Sequence, residues 1–472
     1  MTVNEDRSMH EGGAMSTEHD VIVVGTGQAG VPLATRLAAA GKRVMIAERS
    51  LPGGTCTNYG CTPTKTMVAS ARAAHVARNA ARLGVRAGEV RVDLAAVVDR
   101  KEKVVMQWRD GVRKRIQRAG DALTFVQGHA RFTGPHEIEV NGERHRAETI
   151  VINTGARPLT PPITGLDTVD WLDSTRIMEL RSVPRHLVVL GGGYIGCEFG
   201  QMFRRFGARV TVVDRGPHLL DREDDDVCAA IEDVFRAEGI DLRLDAEVTA
   251  VARAGDGMAV TLRDGTAIEG SHLLVAVGRV PNTEDLGCEA AGIVLDRRGF
   301  VRVDDAYRTS AQGVHAVGDV TGGAQFTHTS WDDHRILFDI LGGNRSGGRD
   351  GRLIPYTVFT DPQVARVGLS EKDAKRAHVD CEVATMPFGH IARAIELDET
   401  AGILKVLLDP ATERILGAAI VGHEAGELIQ IFSVLMQAGG TARAIVDAQA
   451  IHPTLAEGVQ SVIMSLDRYA LR

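Results

Sequence analysis

Residues 20–30 read DVIVVGTGQAG, and residues 186–196 read HLVVLGGGYIG. Each is a short β-branched run that ends in Gly-x-Gly-x-x-Gly: Gly25, Gly27 and Gly30 in the first, Gly191, Gly193 and Gly196 in the second. Glycines at that spacing permit a tight turn, a close approach of backbone to a pyrophosphate, and packing of the next helix on the strand. One such motif alone is a weak signal. Here each is followed by an apolar strand that runs into an acid, residues 43–47 into Glu48 and residues 209–213 into Asp214. A carboxylate at that point meets a ribose hydroxyl. Two complete units predict two dinucleotide-binding folds in one chain. Asp214 disfavours a 2′-phosphate and points to NADH, whereas Arg215 beside it attracts that phosphate and points to NADPH, so both coenzymes stay open.

Directly after Glu48 comes the stretch that carries chemistry, GGTCTNYGCTPTK over residues 53–65. An Ala/Arg-rich run without glycine until Gly84 follows it and reads as helix. Thr62 is the expected cap and Pro63 the first-turn residue, where a missing N–H costs nothing. Cys61 then lies beside the positive end of the helix dipole, which favours a thiolate. Residues five apart on a straight helix rise about 7.5 Å, beyond the roughly 6.8 Å that a disulfide spans between Cα atoms. The backbone from Cys56 to Cys61 is therefore expected to bend, at Asn58 and Gly60. A bent cysteine pair beside a nucleotide site reads as redox machinery. Two unpaired cysteines, or half of a zinc site, are the bland alternatives, and no second Cys/His pair stands at finger-like spacing. The chemistry linking two dinucleotides to a dithiol runs from a nicotinamide to a flavin to the disulfide.

Composition fits this reading. The 472 residues allow about three domains, and glycine is abundant at 52. The formal charge is 54 − 62 = −8, which argues against a nucleic-acid partner. No apolar run reaches the roughly 18 residues of a membrane span. Residues 1–19 read as a disordered polar tail without a signal-peptide core, with Met15 a second candidate start. A cytoplasmic, reducing location follows, where a close cysteine pair is catalytic rather than structural. Cys197, Cys228, Cys288 and Cys381 read as isolated core or surface residues.

Farther along, residues 66–119 carry helical spacing for two helices. Residues 128–140 alternate, with Asn141-Gly142 as a hairpin signal. A buried strand ends at Gly155, before the proline-rich linker at Pro158, Pro161 and Pro162, where a domain boundary is placed. Residues 247–275 read as hairpins ending in a strand, and another strand is expected after Gly299. Asp319 ends an apolar strand at a glycine and is suited to a polyol chain. From Pro355 the character changes to a smaller α+β domain. Near its end His452 stands five residues before Glu457, a spacing that suits a carboxylate-oriented acid/base as well as a surface pair.

Together GGTCTNYGCTPTK, the two glycine motifs, VGRVPN, AVGD, FTDPQVARVG and HPTLAE resemble the class I pyridine nucleotide–disulfide oxidoreductases, over residues 20–465. The resemblance implies an α/β fold class with two Rossmann-like dinucleotide-binding domains plus a C-terminal α+β dimerisation domain. It implies an FAD-binding domain over 20–157 and 281–350, an NAD(P)H-binding domain over 158–280, and an interface domain over 351–472. Carried over by residue, Gly25, Gly27, Gly30, Glu48, Thr55, Gly155 and Asp319 face FAD. Gly191, Gly193, Gly196, Asp214, Arg215 and Gly278 face NADH or NADPH, and Tyr194 resembles the aromatic gate over the nicotinamide pocket. Cys61 resembles the thiol facing the flavin and Cys56 the interchange thiol. Lys65 would pair with Glu198, and His452 with Glu457 would serve the other subunit of a homodimer. The implied enzyme is an NAD(P)H-dependent flavin disulfide reductase acting on a small-molecule oxidant. The chain has no cysteine after Cys381, where mercuric reductase carries a vicinal pair, so mercuric ion is not the expected substrate. The segment from Gln325 to Arg335 looks more like the reactive-chlorine-resistance flavoproteins, which implies hypothiocyanous acid or Cu(II) as oxidant. Dihydrolipoamide dehydrogenase is the alternative reading.

Overall fold

The computed structural model describes residues 16–469. The chain divides into two compact units, one taking residues up to 56, 108–157 and 280–350, the other taking 57–107, 158–279 and 351–472.

In the first unit the apolar runs assemble a seven-stranded sheet. Its order is Leu123–Gln127, Val44–Glu48, Thr17–Val24, Glu143–Ile152, Glu137–Val140, Ala130–Gly134, with Val314–Ala316 also paired to Glu143–Ile152. The central pairs are parallel, Val21 opposite Val44 and Val24 opposite Ile152. Val21, Ile22 and Val23 are all buried, as expected of parallel strands covered on both faces. The last two strands form antiparallel hairpins, and Asn141 and Gly142 supply the left-handed backbone (φ 54° and 83°) that a two-residue turn needs.

The second unit holds three sheets. A parallel one runs Asp241–Arg243, Arg209–Val213, His186–Leu190, His272–Val275. A three-stranded antiparallel one is Val248–Ala254, Gly257–Leu262 and Ala267–Gly270. The five-stranded antiparallel one runs Tyr356–Val358, Gln363–Gly368, Ile415–Gly422, Ile403–Leu408, Glu382–Pro387. The helix Tyr194–Phe206 joins His186–Leu190 to Arg209–Val213, and the helix Cys61–Asn79 packs in the same core through Met67 and Ala71.

Three expectations are corrected. The helix after the cysteine pair begins at Cys61 itself, with Gly60 as its cap and no side-chain cap, so Thr62 sits inside the first turn. Pro63 stays in that turn, where its missing N–H is harmless. Directly after Gly299, where a strand was expected, the described residues form only a single bridge, Leu295 to Val301. Of the tail expected over 1–19, residues 1–15 lie outside the described residues, and a strand already begins at Thr17. No helix of the described residues is long and apolar enough to cross a membrane.

His315 lies buried in Val314–Ala316, and its Nδ1 makes no hydrogen bond among the described residues. Burial, with a smaller push from Arg308, lowers its pKa to about 4. Its folded value is below the ordinary 6.5, so the unfolded chain binds more protons between those values and stability falls as pH drops through that window. Between pH 7.5 and 5, urea denaturation of His315→Gln should lose about 2 kcal/mol less stability than the parent protein.

Candidate active site

The two glycine turns are built alike. Gly25 and Gly191 each hold φ +107°, and a Cβ on them would lie 2.3 Å from the Asn153 carbonyl oxygen and 2.5 Å from that of Ala276. Only glycine fits such a turn. Gly30 and Gly196 let their helices press on the turn itself, since a Cβ there would stand 2.1 Å from Gly25 O and 1.8 Å from Gly191 O.

Both strand-end acids are tied into their turns. Glu48 accepts from Thr26 N at 3.0 Å, Thr26 Oγ1 at 2.6 Å and Ser50 N at 2.8 Å. Asp214 accepts from Gly192 N at 2.5 Å and Gly216 N at 2.7 Å. Arg215 is exposed. Around Gly193 and Gly155 an added Cβ would meet nothing within 4 Å, so the backbone is open there. An anchored acid at each turn, with an open glycine in the second turn and another at Gly155 after the strand Glu143–Ile152, fits a dinucleotide at each. Gly278 has a left-handed φ of +145° and accepts a backbone hydrogen bond from Leu159.

Asn153, which the sequence reading missed, ties the first turn to the Asp319 segment. Its Oδ1 accepts from Gly30 N at 2.9 Å and its Nδ2 donates to Val317 O at 3.0 Å. Its one visible signal is an amide in an otherwise apolar run. Asp319 is half-buried in the short 3₁₀ helix Gly318–Thr321, and Gly318 N donates to Asp333 Oδ2 at 2.8 Å.

Cys56 and Thr55 are half-buried on the short helix Gly54–Asn58. The start of that helix is pinned to the first turn: Gly53 N donates to Thr26 Oγ1 at 3.0 Å, and a Cβ on Gly54 would lie 2.7 Å from Gly27 Cα. The chain then breaks, and Cys61 opens the next helix, so the backbone bends between the cysteines as expected. The other four cysteines carry thiols that burial pushes up, Cys228 to about 12. Such thiols are poor nucleophiles.

Cys61 and Lys65 are one turn apart on one helix face, and Tyr194 and Glu198 are one turn apart on another. Lys65 Nζ joins the two helices by donating to Glu198 Oε1 at 2.9 Å and Oε2 at 2.7 Å. Phe359 completes the arrangement, its N–H donating to Glu198 Oε1 at 2.9 Å and its ring 4.8 Å from the Lys65 ammonium. Phe359 opens the FTDPQVARVG stretch, but no role was read for it from the sequence. Tyr194 is the first residue of its helix, directly after the open Gly193, and its ring stacks on Tyr356 at 5.7 Å.

His452 is 71 % exposed at its side chain, and its Nδ1 lies 3.0 Å from Glu457 Oε1. Glu457 is held below the usual carboxylate range, first by the Thr454 N–H and then by His452. The pair foreseen from spacing is therefore present as a pair.

A family model described as pyridine nucleotide-disulphide oxidoreductase matches residues 19–333, and its dimerisation-domain model matches residues 354–463. A probable pyridine nucleotide-disulfide oxidoreductase, RclA of Escherichia coli K12, is 36 % identical over 456 residues, 94 % of this chain and 98 % of that one. A dihydrolipoyl dehydrogenase of Thermus scotoductus is 34 % identical over 471 residues, 96 % of this chain and 98 % of that one. The solved Cu(II) complex of the HOCl-induced flavoprotein disulfide reductase RclA from Escherichia coli superposes with a TM-score of 0.87 at 35 % identity, covering 95 % of this chain and all of that one.

Glu198 is 7 % exposed at its side chain, so removing its cation leaves a buried charge. Lys65→Met should cost on the order of 3 kcal/mol in urea denaturation, and Lys65→Met with Glu198→Leu should regain most of it.

Proposed function

The chain belongs to the pyridine nucleotide-disulfide oxidoreductase family, an FAD- and NAD(P)H-dependent group of enzymes, and we propose that it reduces a small disulfide or sulfenyl-type oxidant through Cys56 and Cys61. The observation that carries this reading is the Lys65–Glu198 pair, which puts the Cys61 face of one helix against the Tyr194 face of another. The assignment gives residues 20–157 and 281–350 to FAD, 158–280 to the nicotinamide coenzyme, and 351–472 to a homodimer interface. Glu48, Gly25, Gly27, Gly30, Thr55, Gly155 and Asp319 hold FAD in this reading. Gly191, Gly193, Gly196, Gly278 and Asp214 hold the coenzyme. FAD, when bound, carries two electrons from a nicotinamide to a disulfide.

The residues of the chain supply the rest. Lys65 and Glu198 keep a fixed charge pair beside Cys61. The Cys56 thiolate attacks the oxidised sulfur of the substrate, displacing the leaving group and forming a mixed disulfide. The Cys61 thiolate then attacks Cys56 Sγ, closing Cys56–Cys61 and releasing the reduced substrate thiolate. His452 of the partner subunit, oriented by Glu457 of the partner subunit, protonates the departing group. A reducing cytoplasm suits a dithiol that must be re-reduced in every cycle. Asp214, fixed by two backbone N–H groups, would face a 2′-phosphate as an immobile charge, which supports NADH over NADPH.

Steady-state kinetics with NADH and NADPH against lipoamide, glutathione disulfide, hypothiocyanite and Cu(II) tests the reading. Hypothiocyanite or Cu(II) is expected to lead, in keeping with the reactive-chlorine-resistance resemblance. Rapid NAD+ reduction by dihydrolipoamide would instead favour the dehydrogenase reading, to which the Thermus scotoductus relative lends weight.

Two further outcomes are expected of the holoenzyme. Cys61→Ser should abolish the long-wavelength absorbance of the two-electron-reduced protein, while Cys56→Ser keeps it and loses turnover. In stopped-flow, His452→Ala should slow reoxidation by substrate by about 10²-fold and leave reduction by the coenzyme within about twofold. Equal slowing of both half-reactions would contradict the acid role.

A further inference from the structure

Glu223, Tyr356 and Arg366 form a buried polar group that the chemistry above does not use. Tyr356 and Arg366 face each other across the strand pair Tyr356–Val358 and Gln363–Gly368. The Tyr356 hydroxyl donates to Glu223 Oε1 and accepts from Arg366 Nε at 2.6 Å. Arg366 Nε also lies 3.0 Å from Glu223 Oε2, and its Nη1 donates to Asp373 Oδ2 at 2.8 Å. Asp373 is itself held in a capping box with Ser370. The Arg366 guanidinium lies 5.2 Å from the Tyr356 ring centroid, and the Tyr194 ring lies 5.7 Å from it at an interplanar angle of 25°.

Tyr356 is thereby fixed at its hydroxyl by two charged groups and held at its ring by two planar ones. Glu223 is 1 % exposed at its side chain and Arg366 14 %, so the group is desolvated at a cost that apolar residues of the same volume would avoid. What the polar version adds is orientation, because a hydroxyl with a fixed acceptor and a fixed donor admits one ring placement. That placement reaches Tyr194, which stands at the open end of the second glycine turn. A loose ring there would have to be ordered each time a nicotinamide docks, and an already ordered one would not.

We propose that Tyr356 is a positioning residue for the nicotinamide coenzyme, holding the Tyr194 ring at the second glycine turn, with Glu223 and Arg366 holding Tyr356. The proposal rests on the functional reading above, in which that turn binds the coenzyme. Two measurements on the full-length holoenzyme test it: NAD+ binding to the oxidised protein by calorimetry, and the two half-reactions by stopped-flow. Tyr356→Leu is expected to weaken NAD+ binding about three- to tenfold, the worth of a lost ring stack, and to slow reduction by NADH to a similar degree. Reoxidation by the best acceptor of the kinetic panel should stay within about twofold, and Tyr356→Phe, which keeps the ring but loses the hydroxyl that Glu223 and Arg366 hold, should fall between the parent protein and Tyr356→Leu. Glu223→Gln leaves both rings intact and is expected to move the same readouts in the same direction by a smaller factor. Unchanged NAD+ affinity and reduction rate in Tyr356→Leu, or in Glu223→Gln where the leucine variant does not fold, overturns the proposal. So does equal slowing of both half-reactions. An unmodified enzyme that neither binds NAD+ nor is reduced by either coenzyme would instead sink the functional reading.

Discussion

A carboxylate shut away from water needs its charge answered where it sits, and Glu198 is answered on two sides. Lys65 donates to both oxygens, and the Phe359 N–H adds a third hydrogen bond. Because Lys65 and Glu198 lie on different helices, satisfying that one charge fixes the rotation of both helices. One rotation decides where Cys61 faces and the other where Tyr194 faces. A second, larger ion network acts farther along the same helices. Arg205 donates to Glu238 and Asp361, and Arg72 donates to Asp361 and Glu399. Burial raises the pKa of Asp361 but its two arginines lower it by more, so it stays ionised and the helices are locked at both ends.

At the first glycine turn the same kind of order rests on neutral side chains. Thr26, inside the first glycine motif, donates twice to Glu48 and accepts from Gly53 N. One threonine therefore links the turn, the acid, and the start of the Cys56 helix. Asn153 does comparable work on the other side, between the Gly30 helix and the chain leading to Asp319. These are neutral groups acting over short range, and they hold a segment whose two neighbouring glycines leave it little stiffness of its own.

Legibility in the sequence followed this difference. The glycine turns, both strand-end acids and the Asn141-Gly142 hairpin were readable because each depends on residues adjacent in the chain and on backbone geometry that few residue types tolerate. The Lys65–Glu198 and His452–Glu457 pairs came from family resemblance and from spacing, and the structure brings both together. The helix start was misplaced by two residues because a threonine before a proline is a strong capping signal, whereas here Gly60 ends the turn through its backbone alone. Asn153 and Tyr356 were not legible at all, and Phe359, though it opens the FTDPQVARVG stretch, showed no role. Each acts on a partner more than 120 positions away, and an amide, a ring or a backbone N–H looks alike in sequence whether or not such a partner waits for it.

One residue departs from the pattern of buried, doubly held groups. His452 is mostly exposed and is fixed by Glu457 through one hydrogen bond, while Glu457 is also held by the Thr454 N–H. Within a single chain that geometry orients an imidazole without shielding it. A proton donor to a sulfur leaving group gains from a drier setting, where its hydrogen bond to the departing atom is stronger. The match to the dimerisation-domain model includes both His452 and Glu457, and in the proposed homodimer association would supply such a setting. In the proposed reading, the oriented but open imidazole is prepared by its own chain and finished by association.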